Sequence, residues 1–522
     1  MGKWLILIPI ILGLSMDLLD MTIIEVALPN IMIEFGSDID LTQYIITAYM
    51  ITIGVFEPIT AYWADTRGMK KVYIISLLIF TLSSIFCALS WNIDTLIVFR
   101  ILQAVGGGMI MPVALSIIEK SFNKEELPLA MGLMGLPLLI APAIGPTLGG
   151  YLVERLNWRW IFWINVPLGL LAVSLSYVLL REFETVKKKL DVWGFILSAI
   201  GFGSLLLALS NGASDGWTSA SIIFLFFLSG ISLLSFFLLE ACTSDPLLDL
   251  QIFKSRIYSA SIGVTFFFMI ALYGSLYLVP LFMQELRGLG AIETGMLLIY
   301  EAIGAMLFLP ISSVLLPRLG GPVLTITGIV IMTIGSYFLV DLQVNTDIEE
   351  VKRNLLIIGM GLGLGIMPSI TLAYSSLPEN LVNQGSAFLN LIRQFGSALG
   401  VAILNSVIQQ RMPIYYHQLS DSITPGSNAE MYLRQLASYF QSIGHASEQS
   451  YQLGMAVILK QIQTTASISA FQNAFFISLI FGLLAIIPAL FLYRKNQFHV
   501  RVHVDSGLLS SDQVVENPND AL

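Results

Sequence analysis

Apolar residues in this chain gather into long runs, broken by short polar stretches. Fourteen such runs fall near residues 4–32, 42–63, 72–91, 94–117, 128–152, 160–180, 190–210, 219–239, 257–279, 294–316, 321–340, 351–373, 386–408 and 471–493. Each is close to or above the roughly 20 residues that cross a hydrocarbon core. Lipid leaves a spanning backbone few ways to satisfy its N–H and C=O groups, so the runs predict helices. The pattern therefore predicts an all-α polytopic membrane protein. Its parts are an N-terminal six-helix bundle over 1–182, two inserted transmembrane helices with their loops over 183–255, and a C-terminal six-helix bundle over 256–494. A polar tail, 495–522, follows and has the composition of a disordered segment.

The first run carries three carboxylates, Asp17, Asp20 and Glu25. An acid at a bilayer centre costs roughly 2.5–3.5 kcal/mol on insertion scales. A lipid-facing helix gains nothing from that cost, so the acids are expected to face protein or a water-filled path. At helical spacing Gly13, Asp17 and Asp20 share a face, with Glu25 about 80° round from Asp17 and nearer the far end. A cleaved signal peptide, with Lys3 ahead of a short apolar core, is the competing reading. It is disfavoured because no small-x-small cleavage site follows Leu14 and the apolar pattern runs on through the acids.

Composition strengthens this picture. Hydrophobic residues make up 56% and charged residues 12% of 522 residues, and mean hydropathy is +0.80. A soluble core does not absorb that much apolar surface. The net charge of −9 comes with no basic patch, so no nucleic-acid partner is expected. Cys87 and Cys242 lie in or beside apolar runs, arguing against a disulfide framework or a cysteine zinc site. With the N-terminus inside, the inner loops collect about twice as many lysines and arginines as the outer ones, so both termini are expected in the cytoplasm.

The outer segment 409–470 is long for a loop, and such segments tend to be functional. Met431, Leu433, Leu436, Tyr439, Phe440 and Ile443 lie on one broad apolar helical face there. That face fits either a helix resting on the bundle or a docking surface for a partner.

Several segments carry candidate chemistry. AYWADTRGMKK (61–71) places Asp65, Arg67, Gly68 and Lys71 in the loop after the second run, where Gly68 permits a tight turn. LLPRLGGP (315–322) again sets an arginine shortly before a glycine turn after the tenth run, as expected of two homologous halves. FRILQAVGGGMIMP (99–112) buries Arg100, which needs a partner; Asp20 is the nearest plausible acid, and Gln103 shares its face. GLPLLIAPAIGPTLGG (135–150) interrupts a helix with Pro137, Pro142 and Pro146, and Gly145, Gly149 and Gly150 allow close helix approach. Glu57, Glu301 and Arg393 are further ionisable groups inside runs.

Together these segments resemble the major facilitator superfamily, and within it the fourteen-span drug:proton antiporters of the EmrB/QacA type. The resemblance rests on LLDMTIIEVALPNI in the first run, FRILQAVGGG in the fourth, APAIGPTLGG in the fifth, WRWIFWINVPLG (158–169) and FLNLIRQFGSALGVAIL (388–404). It extends to about Leu492. Departures are Ala61 and Thr66 in the loop motif, Ala141 for a glycine in the fifth run, and Glu25 at a position that is commonly Asn.

The resemblance implies a bacterial plasma (inner) membrane protein that works by alternating access. Its site would lie between two bundles near the midplane, and it would export amphipathic small molecules in exchange for protons, without a cofactor. It implies proton coupling at Asp20 and Arg100, gating at Asp65, Gly68 and Lys71, and an antiporter helix with Gly145, Pro146, Gly149 and Gly150. Position inside the membrane adds Asp17, Glu25 and Glu301 to the coupling set, and Glu25, Glu57, Gln103 and Arg393 to the substrate cavity. Such relatives in double-membraned bacteria work with a periplasmic membrane-fusion adaptor and an outer-membrane channel, and 409–470 is long enough to contact one. A transporter dedicated to one physiological solute is the alternative. A membrane sensor or enzyme is disfavoured, because no Walker loop, HExxH or metal cluster occurs, and His417, His445, His499 and His503 lie outside the runs.

Overall fold

A computed structural model describes residues 3–123, 126–187, 189–421 and 428–493. Lys124, Lys188, Arg494, Lys495, Arg501 and the tail 495–522, which the orientation and disorder readings used, lie outside these residues, as does the side chain of Pro142.

The described residues form helices without a strand. The N-terminal bundle comprises α1 (Leu7–Phe35), α2 (Ile39–Arg67), α3 (Met69–Ala88), α4 (Ile93–Ser121), α5 (Leu127–Met134), α6 (Leu136–Arg155), α7 (Trp160–Trp163) and α8 (Asn165–Leu179). The inserted pair is α9 (Val192–Asp215) and α10 (Ala220–Cys242). The C-terminal bundle has α11 (Arg256–Leu276), α12 (Leu278–Glu285), α13 (Ala291–Leu319), α14 (Gly321–Val340), α15 (Ile348–Ser375), α16 (Val382–Asp421), α17 (Asn428–Ser442), α18 (Ser447–Leu484) and α19 (Ile486–Leu490). Thirteen of the described helical segments are long and apolar enough to span a membrane. The fifth expected crossing is the broken pair α5–α6, which brings the crossings to fourteen. The break falls at Gly135, two residues before Pro137, whose missing N–H cannot continue the ladder.

The polar stretches between runs act as caps. Asp38 accepts from the Leu41 N–H at 2.7 Å, Asp191 from the Gly194 N–H at 2.8 Å, and Asn92 forms a reciprocal capping box with Thr95. The α2–α3 and α13–α14 turns match: Gly68 has φ +97° and Gly320 φ +80°, a backbone region that favours glycine. This is the equivalence predicted by the arginine shortly before a glycine in both loops.

The segment 409–470 is largely helix, not loop. α16 has 40 residues and α18 has 38, so each is about 60 Å long against a hydrocarbon core of about 30 Å. Both continue well past the membrane as a hairpin carrying α17. Leu433 is buried where α17 packs on α18, and Gly454 clears the space for it. Met431, Tyr439 and Ile443 stay exposed. The apolar face is thus divided between internal packing and an open surface.

Glycines set the tightest helix contacts of the C-terminal bundle. A Cβ on Gly359 would lie 1.9 Å from the Glu301 carbonyl oxygen, and one on Gly361 2.3 Å from the Met332 amide. Gly359 and Gly363 face α13, while Gly361 and Gly365 face α14. A single glycine run thereby packs α15 against two neighbours.

Candidate functional site

Asp20 and Arg100 form an ion pair buried inside the N-terminal bundle, with side chains only 1% exposed. Asp20 Oδ2 accepts from Arg100 Nη1. Its Oδ1 accepts from Gln103 Nε2 at 3.0 Å and from Asn165 Nδ2 at 2.7 Å. Arg100 Nη1 also donates to Gln103 Oε1 at 2.8 Å, and Ser84 Oγ accepts from Gln103 at 2.7 Å. The guanidinium lies 4.1 Å from the ring centroid of Tyr49 and 5.7 Å from that of Phe162. Placing Arg100 and Gln103 three residues apart on α4 puts both on Asp20. Each charge is matched, which is what makes a buried pair tolerable.

Asp17, one turn below on α1, accepts from the Tyr49 hydroxyl at 2.8 Å. Gly107 makes room for this contact, since its Cβ would stand 2.6 Å from the Tyr49 hydroxyl and 2.7 Å from Asp17 Oδ1. Tyr49 therefore touches both the Arg100 guanidinium and Asp17.

A cavity lies between the two bundles. Its walls are mostly apolar, with Met21, Met111, Met134, Met269 and Met367 among them, and its polar groups include Glu301, Asn390, Arg393, Gln394 and Ser397. Methionine suits such a wall because its unbranched thioether adapts to irregular shapes. Glu301 is 3% exposed, accepts from Ser275 Oγ at 3.1 Å, and its second oxygen has no partner among the described residues. Glu25 is exposed and lies within electrostatic range of Tyr273 and Tyr277 across the interface. Two expected cavity residues sit elsewhere. Gln103 is wholly enclosed in the Asp20 network, and Glu57 is fully buried between α2 and α16.

One end of the interface is sealed. Asn383 Nδ2 donates to Asp65 Oδ1, Ser386 Oγ to the Pro112 carbonyl at 2.9 Å, and Asn390 Nδ2 to Glu57 Oε1. In the loop beside it, a Cβ on Gly68 would meet the Glu182 carboxyl at 2.5 Å. Glu182 accepts from the N–H groups of Lys70 at 3.0 Å and Lys71 at 3.3 Å, which places a carboxylate on the N-terminus of α3. The Arg67 and Lys71 side chains are exposed.

α6 wedges between α1 and the C-terminal bundle. A Cβ on Gly145 would lie 2.0 Å from Thr22 Oγ1, one on Gly149 3.0 Å from Ile23, and one on Gly150 3.0 Å from Ile292 of α13. Pro146 faces Gly295 of α13. The acids of α1, a helix that bridges both halves and a cavity between them are the parts a two-bundle carrier requires.

The sequence matches the Major Facilitator Superfamily model over residues 10–401. The chain belongs to the major facilitator superfamily. It is a membrane transporter, not an enzyme. It is similar to the MFS-type transporter YhcA of Bacillus subtilis, 29% identical over 97% of this chain and 96% of that one. It is 32% identical to the multidrug transporter protein MdtP of the same organism, over 81% of this chain and 78% of that one. Its fold resembles that of the human organic anion transporter MFSD10, with a TM-score of 0.59 at 12% identity over 92% of this chain and all of that one.

Within this superfamily fold, sequence reasoning missed Tyr49, Ser84, Asn165, Glu182, Asn383 and Asn390. None carries a local signal, since each gains its partner only when distant helices meet. The glycine spacing at 359, 361, 363 and 365 was readable as a close-packing stripe.

Proposed function

We propose that this transporter exports amphipathic toxic small molecules in exchange for protons across a bacterial plasma membrane, in the manner of the fourteen-span antiporters. The observation that carries this reading is the fully enclosed Asp20–Arg100 pair on α1 and α4, two helices that also line a methionine-rich cavity between the bundles through Met21 and Met111. A proton reaching Asp20 displaces its charge-assisted bond and strands Arg100, which is expensive in a dry interior. Protonation therefore favours an arrangement in which the two are apart, and the opposite arrangement releases the proton. Such a swing in affinity is what couples a proton to a conformational change. Glu301 and Glu25, with Asp17 behind them, serve as further acids along the proton and substrate path.

With the termini in the cytoplasm, the sealed end is the inner one and Glu25 faces outward, as in a carrier that has just released its cargo. Asp65, Arg67, Gly68 and Lys71 gate that inner end. Gly145, Pro146, Gly149 and Gly150 let α6 bend and slide against α1 and α13. The α16–α18 hairpin is the docking surface for a periplasmic adaptor that leads to an outer-membrane channel.

The experiment is a compound panel on a host lacking its own exporters, with and without this gene. Purified protein in proteoliposomes under an imposed pH gradient accompanies it. Resistance to several chemically unrelated amphipathic compounds, with gradient-driven accumulation of the same compounds, is expected. Transport of a single physiological solute, or accumulation indifferent to the pH gradient, would overturn the reading.

A further inference from the structure

α16 presents Asn383, Ser386, Asn390 and Arg393 at intervals of three and four residues, along one helical face. The first three each bond a group of the N-terminal bundle: Asp65, the Pro112 carbonyl and Glu57. The fourth breaks the pattern. Among the described residues, the Arg393 guanidinium makes no hydrogen bond or ion pair, although it lies within electrostatic range of Glu57 and Asp17. Glu57, in turn, has no exposed surface, and its Oε2 has no hydrogen-bond partner among the described residues. An acid so enclosed is costly without a counter-charge. Asn390 supplies one donor and no charge. The nearest cation on the facing helix is Arg393, one turn further along α16.

We propose that Arg393 is the counterion that Glu57 and Asp17 share across the interface, and that it latches the sealed end together with Asn390. This lock differs in kind from the Asp20–Arg100 pair. That pair lies within one bundle, whereas both acids of the lock are on α1 and α2 and its cation is on α16. Separating the bundles at this end breaks the lock. It therefore stabilises only the sealed arrangement, which is what shifting a two-state equilibrium requires. Arg393 also lines the cavity, so an opening movement carries its charge with that wall.

The test reads conformation in detergent without substrate or gradient, so its failure and failure of the efflux reading are separable. Spin labels at Arg181→Cys and Asn380→Cys, both exposed positions near the sealed end, report the inter-bundle distance in a Cys242→Ser background. Glu57→Gln and Arg393→Gln should each lower the ratio of sealed to open populations roughly tenfold, the scale of a through-space attraction between opposite charges in a protein interior. The double variant should fall well short of the product of the two effects. Distances unchanged from wild type in both single variants, or strictly multiplicative effects, would overturn the proposal. If Arg393→Gln gives no folded protein, Arg393→Lys takes its place. It keeps the charge, loses the planar fork, and should shift the ratio in the same direction by less; no shift would count against the lock.

Discussion

The hydroxyl of Tyr49 donates to Asp17 at 2.8 Å, while the same ring lies under the Arg100 guanidinium. One side chain on α2 thus links Asp17 to the ion pair enclosed in the N-terminal bundle. Tyr49→Phe keeps the ring and removes the donor. A hydrogen bond to a buried charge is worth about 1.5–3 kcal/mol. Gradient-driven transport should therefore fall at least tenfold while the protein stays folded. Transport at the wild-type rate in proteoliposomes would remove Tyr49 from the coupling path.

The approach of α6 to α1 is equally specific. A Cβ on Gly145 would lie 2.0 Å from Thr22 Oγ1 and 2.7 Å from Thr22 Cβ. Gly145→Ala should cost about 1–3 kcal/mol, as over-packing does, and lower the melting temperature of the purified protein. Adding Thr22→Gly removes both clashing atoms and should recover part of the loss. A Gly145→Ala variant as stable and active as wild type would show that the close approach is dispensable.

Much of the fold is legible in the sequence because lipid turns hydropathy into topology, and the runs follow from that. The matching Gly68 and Gly320 turns are legible because only glycine takes their backbone angles readily. The Asp20–Arg100 pairing is legible for a related reason: a charge inside an apolar run has few available partners. Asn390 and Tyr49 are not legible, because a neutral polar residue in an apolar run costs little and announces no partner. The hairpin was misjudged in extent for the opposite reason. Past the membrane, hydropathy stops marking helix, and α16 and α18 continue through polar sequence that reads as loop.

The exposed part of that hairpin makes its own prediction. Met431→Ser, Tyr439→Ser and Ile443→Ser together remove most of the open apolar surface of α17 and leave buried Leu433 in place. Proton exchange by the isolated transporter in vesicles should be unchanged. Whole-cell resistance and co-purification with a periplasmic adaptor should be lost. Loss of exchange in vesicles would instead assign this surface to the transport core.

Coupling through Asp20 is tested most directly by comparing two modes of transport in Asp20→Asn proteoliposomes. Asparagine keeps the size of the side chain and cannot carry the proton. Substrate counterflow, which needs binding and alternation without net proton movement, should persist. Accumulation driven by an imposed pH gradient should vanish. Gradient-driven accumulation at the wild-type level in Asp20→Asn would contradict the account.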